Sequence, residues 1–113
     1  MTRGIRYVLM DPSKNMTLLV EDPVPAEERA AAAAALMRLE PAAEQAGFLV
    51  SPEGCDISLV MAGGEFCGNA AMSAAVLHGI RSGMTRGQVL VKISGAPKIL
   101  PVEIRALSGG LWK

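Results

Sequence analysis

The chain is predicted to fold as an α+β domain, a mostly antiparallel sheet curled around one central buried helix. Two observations support this: short apolar runs come in turn-separated pairs, and one segment, Cys67 to Ile80, is helix-forming with almost no polar side. A helix that is apolar all round has to be surrounded. No βαβ crossover stands out in the order of elements, and at 113 residues the chain fits one domain.

The first pair is Ile5 to Met10 and Met16 to Val20, divided by Asp11-Pro12-Ser13-Lys14-Asn15, whose residue types favour a turn. Asp22 is then placed to cap a helix whose first turn holds Pro23, Pro25, Glu27 and Glu28, since proline is tolerated and acid favoured there. The alanines from Ala30 to Ala35 carry that helix, Leu36 and Leu39 give it a weakly apolar face, and Pro41 ends it at Glu40. It is expected on the outside. Phe48-Leu49-Val50 and Asp56 to Met61 flank the turn signals Ser51-Pro52-Glu53-Gly54. In the second run Ile57, Leu59 and Met61 alternate with Asp56 and Ser58, which predicts a strand with one wet face. After the central helix, Val89 to Ile93, a Gly95-Ala96-Pro97 turn and Ile99 to Leu107 predict a hairpin with Pro101 on an edge strand. The ending, Ser108-Gly109-Gly110-Leu111-Trp112-Lys113, has the composition of a boundary or a truncation.

Charge and composition narrow the function. Eleven basic residues balance eleven acidic ones without a Lys/Arg cluster, so a nucleic-acid partner is not expected. Ala70 to Ile80 is interrupted by Ser73, His78 and Gly79 and falls short of the roughly 20 residues that span a bilayer, so no membrane partner is expected. The short apolar run near the N-terminus is a poor secretion signal, and a cytoplasmic location with free thiols at Cys55 and Cys67 follows.

The chemistry concentrates at Met61-Ala62-Gly63-Gly64-Glu65-Phe66-Cys67-Gly68-Asn69-Ala70. Paired glycines let the backbone turn tightly before a helix that opens with a cysteine. There the unpaired N–H groups and the positive helix end favour an anion, either a thiolate on Cys67 or a ligand carboxylate. A helix end contributes only about 0.3–2 kcal/mol, so abstraction of an amino-acid α-proton also needs water excluded and hydrogen bonds that stabilise the carbanion. The alternative for Cys67 is a small residue at a tight helix start, because cysteine is commonly buried and inert. Cys55 has no partner at metal or redox spacing and reads as structural. His78 stands eleven residues beyond Cys67, roughly 16 Å along a helix, too far for a Cys–His pair. It suits a helix C-terminus or a satisfied core position. Glu65 is equally suited to hydrogen-bonding within its loop and to contacting a substrate amine. Ser58 and Ser73 lack a nucleophile's partners, and no compact metal-ligand spacing is present.

The run Gly63-Gly64-Glu65-Phe66-Cys67-Gly68-Asn69-Ala70 resembles the first active-site cysteine loop of the diaminopimelate epimerase family, with Cys-Gly-Asn its most specific piece. Pro12 to Thr17 resembles that family's early asparagine segment, and Glu44 to Leu49 the segment before an inner strand. The resemblance implies a fold of two similar domains facing across a cleft, of which residues 1–113 match only the N-terminal-type one. It implies catalysis without pyridoxal phosphate or metal, by one cysteine on each face of the α-carbon. Cys67 matches the first cysteine. Asn15, Gln45, Gly68, Asn69 and Ala70 match the substrate-binding positions, for an amino-acid-like small molecule, and Glu65 stays a candidate substrate contact on its residue type alone. Ala70-Ala71-Met72 replaces the Gly-Ala-Arg common after the asparagine, which points to the histidine-racemase-like branch.

The second cysteine is missing, and Cys55, separated from the loop by the strand from Asp56 to Met61, does not fill the role. Three readings follow: a homodimer that sets Cys67 against its own copy, a separate chain carrying the second half, or a non-catalytic binding domain or inactive remnant.

Overall fold

The computed structural model describes residues 5–12, 15–107 and 112. The order of elements is β1 (Tyr7–Met10), β2 (Thr17–Val20), a 3-10 turn (Ala26–Glu28), α1 (Arg29–Leu39), β3 (Gln45–Val50), β4 (Ile57–Met61), α2 (Gly68–Arg81), β5 (Arg86–Ile93) and β6 (Leu100–Arg105). The six strands form one sheet in chain order, β1 to β6.

Three of the five pairings are antiparallel, β1 with β2, β3 with β4 and β5 with β6, so the expected α+β class and predominantly antiparallel pairing hold. The other two, β2 with β3 and β4 with β5, are parallel. Parallel neighbours need a long crossover; α1 makes the first and α2 the second. The absence of βαβ units expected from the short loops is therefore corrected.

The two helices serve opposite faces of the sheet. Successive strand residues point to opposite sides, and β2 shows the division: Leu18 and Val20 join Ala33, Leu36, Ala43, Ala46 and Phe48 in one apolar cluster with α1. Leu19 joins Leu59, Met61, Ala70, Ala74, Val89, Val91 and Ile104 in another, around α2. All four residues of β2 are buried. Gly79 brings α2 close to β6, since a Cβ there would collide with the Ile104 side-chain tip and meet the Trp112 ring.

Several local expectations change. Asp22 does not cap the first helix; its carboxylate takes the Arg6 backbone N–H at 2.7 Å and Nε at 3.0 Å, while Pro25 begins the 3-10 turn without a side-chain cap. A two-oxygen acceptor facing an arginine fork and a backbone donor makes charge-assisted bonds on both. Ser58 is buried, so β4 has no wet face there. As an interior strand flanked by β3 and β5, it leaves a side chain that small below its neighbours. Seven residues of α2 are buried, but Met72 is 46% and Ile80 52% exposed, so the helix is central yet open along one side. The hairpin forms with Pro101 on the edge strand, as expected. Ser13 and Lys14 of the first loop, and Ser108–Leu111 and Lys113 of the glycine-rich ending, lie outside the described residues.

Candidate active site

Cys67 stands at the junction of loop and helix. Its backbone is extended (φ −142°, ψ 111°), and its carbonyl accepts the first helical bond, from Ala71 N–H at 3.0 Å. The N–H groups of Gly68, Asn69 and Ala70 thus precede the helical ladder, and the Cys67 side chain caps none of them. Three donors at the positive end of a 14-residue helix lie beside the sulfur.

The preceding loop is pinned at two points. Gly64 turns it at φ +76°, with its N–H on the Met61 carbonyl at 2.9 Å. Ser94, just past β5, accepts the Met61 N–H at 3.0 Å and donates to the Glu65 carbonyl at 2.7 Å. Gly95 follows at φ +79°, so close that a Cβ would come within 2.5 Å of the Phe66 nitrogen. The loop is thereby clasped to the β5–β6 turn, and Phe66 stands 49% exposed beside Gly68.

Sheet register brings the other groups to the sulfur. Thr17 and Gln45 open the parallel strands β2 and β3 and pair directly, on the face that carries Leu19 and α2. Gln45 Oε1 accepts from Cys67 Sγ at 2.9 Å, Gln45 Nε2 donates to Thr17 Oγ1 at 2.8 Å, and Thr17 Oγ1 donates to the Asn15 carbonyl at 2.9 Å. The sulfur is half-buried against the α2 cluster, not enclosed by it.

Of the residues singled out in the sequence, Cys67 and Gln45 touch, and Asn15 is reached through Thr17. Gly68, Asn69 and Ala70 form the first turn of α2, exposed, half-buried and buried in that order. Glu65 is exposed, and its backbone carbonyl serves the loop. Thr17 and Ser94 were missed. Thr17 lies in the early asparagine segment, but its role depends on the register of β2 against β3; Ser94 carries no local signal at all. Cys55 is a free thiol, as is Cys67. His78 sits near the far end of α2, with Nε2 3.4 Å from Ser82 Oγ. A cavity of about 520 Å³ opens there, lined by His78, Arg81, Glu21 and Arg29 among others, and a second of about 510 Å³ lies along β5 and β6. Neither adjoins Cys67, and the chemistry at Cys67 marks the site more strongly than either volume. Among the described residues no three His, Cys, Asp or Glu side chains gather as metal ligands, and no helix is long and apolar enough to cross a membrane.

Residues 4–110 match the family described as the histidine racemase CntK N-terminal domain. The chain belongs to this family. It is also 38% identical over 106 residues to the histidine racemase of Staphylococcus aureus (strain Mu50 / ATCC 700699), an alignment covering 88% of this chain and 38% of that protein. The chain thus spans well under half the length of this relative.

Proposed function

We propose that residues 1–113 form the N-terminal-type half of a cofactor-independent amino-acid racemase, with Cys67 as the acid/base on one face of the substrate α-carbon. The observation that carries this reading is the half-buried Cys67 thiol at the start of α2, held by Gln45 next to the helix-end amides of Gly68, Asn69 and Ala70, none of which its side chain caps. As thiolate, Cys67 takes the α-proton: the C–H bond breaks, an S–H bond forms, and the electron pair spreads into the substrate carboxylate. The amides of Gly68, Asn69 and Ala70 receive that charge. Asn15, Gln45 and Glu65 line the substrate. A second thiol on the opposite face returns a proton and inverts the centre.

That second group comes from a surface outside these residues, either a second copy of the chain or a second half-domain. The relative's name makes histidine the first substrate to try, and family membership supports an amino acid generally. The test is exchange of the α-hydrogen of L- and D-histidine in heavy water, followed by mass spectrometry and chiral chromatography. The chain is assayed alone and with a second half supplied. Exchange with inversion is expected in the completed assembly, and Cys67→Ser should abolish both. A completed assembly that exchanges the α-hydrogen of no amino acid would end this reading.

A further inference from the structure

The hydrogen bonds running from Cys67 to Asn15 have a fixed direction. A backbone carbonyl can only accept, so the Thr17 hydroxyl, bonded to the Asn15 carbonyl at 2.9 Å, must give it its single proton. Thr17 Oγ1 is then an acceptor toward Gln45, which must offer its NH2 group; the 2.8 Å contact is from Nε2. Gln45 consequently turns its carbonyl oxygen to Cys67, and the 2.9 Å bond to Sγ is one that only a protonated thiol can donate. Thr17 is completely buried, so no water substitutes for these partners at its hydroxyl.

We infer that Thr17 is a positioning residue whose hydroxyl sets the orientation of the Gln45 amide, and that this orientation reverses with the proton on Cys67. A thiolate can only accept, so Gln45 must then present Nε2 to the sulfur and Oε1 to Thr17. The Thr17 hydroxyl can follow because it holds one donor and two acceptor positions: its proton turns from the Asn15 carbonyl to Gln45 Oε1. No proton passes along the chain; one amide flips and one hydroxyl rotates. This inference rests on the racemase reading only for its use, since a two-thiol mechanism requires Cys67 to alternate between the two forms.

The test reads the resting chain, independently of any activity. In a Cys55→Ser background, Cys67 supplies the only S–H stretching band, and donation to Gln45 lowers its frequency relative to a free thiol. Thr17→Val keeps the shape and removes the hydroxyl; the band should move up and broaden, and Thr17→Ser should restore it. Gln45→Met, at a half-buried position, should raise the band without disturbing the buried Thr17. Iodoacetamide alkylation of Cys67 should change about three- to tenfold in Thr17→Val, as expected for one lost hydrogen bond, and return in Thr17→Ser. A folded Thr17→Val chain whose band and alkylation rate match the parent would overturn the inference, as would a Gln45→Met band left unmoved. If the completed assembly exchanges the α-hydrogen of no amino acid while these shifts appear, the relay stands and the racemase reading falls.

Discussion

Replacing Gly95 by alanine tests whether the loop that presents Cys67 is held by close backbone packing. Two costs add at this position. An L-residue at φ +79° pays about 1–2 kcal/mol for the left-handed conformation. The new Cβ would also lie 2.5 Å from the Phe66 nitrogen, 2.8 Å from its Cβ and 3.0 Å from the Glu65 carbonyl carbon, atoms that cannot swing aside as a side-chain tip can. Overpacking of this kind costs about 1–3 kcal/mol. The sum, about 2–5 kcal/mol less a fraction gained by stiffening the unfolded chain, lowers the melting temperature by roughly 8–20 °C for a chain of this size. Gly54→Ala is the control: φ is +68°, no atom lies within 4 Å of its Cβ, and only the conformational cost applies, roughly 4–8 °C. Differential scanning calorimetry on the two variants gives the difference directly. Pushing Phe66 away also loosens the loop, so Cys67 in Gly95→Ala should be alkylated faster than in Gly54→Ala. If the two variants melt together and react alike, the clasp between the β5–β6 turn and the Cys67 loop is refuted.

Ser94→Ala removes the hydroxyl shared by the Met61 N–H and the Glu65 carbonyl; urea unfolding should show a loss of about 1–3 kcal/mol, with Cys67 alkylation accelerated. A loss confined to a few tenths of a kcal/mol would mean water replaces the hydroxyl. The Tyr7 hydroxyl donates to Glu40 Oε2 at 2.8 Å, and this hydrogen bond, with burial and the nearby carboxylate charge, raises its pKa above the usual 10.0. A folded-state value above the unfolded one gives stability that is full below pH about 10 and fades as pH rises through the folded value. The stability advantage over Tyr7→Phe, followed by urea unfolding across that range, should be flat at neutral pH and decline at high pH; an advantage that grows with pH would contradict the assignment.

The parts of this fold that were legible in the sequence are those set by neighbours along the chain. The limits of α2 follow from Gly63-Gly64 and the apolar run after Cys67, the end of α1 from Pro41, and the last hairpin from Gly95-Ala96-Pro97. What was not legible depends on pairing between distant strands. Nothing near Thr17 announces that it will lie beside Gln45, 28 positions later, because parallel register is fixed only when α1 closes the crossover. Asp22 has the residue type of a helix cap, but Arg6, across the β1–β2 pair, offers it a stronger partner. Ser58 looked solvent-facing by alternation, and its interior position in the sheet decided otherwise. At the site, Cys67 and the first turn of α2 could be read from composition, whereas Ser94 could not, since a lone serine after a strand is ordinary until the Glu65 carbonyl reaches it.

β2 is only four residues long, and both of its sides are committed. Adding or deleting one residue within Thr17–Val20 would send Leu19 toward α1 and Leu18 toward α2, and would take the Thr17 hydroxyl away from Gln45 in the same step. The strand offers no silent frame. Around this strand, length variation is therefore confined to the connections on either side of β2, and the thiol's alignment shares the fate of both apolar layers.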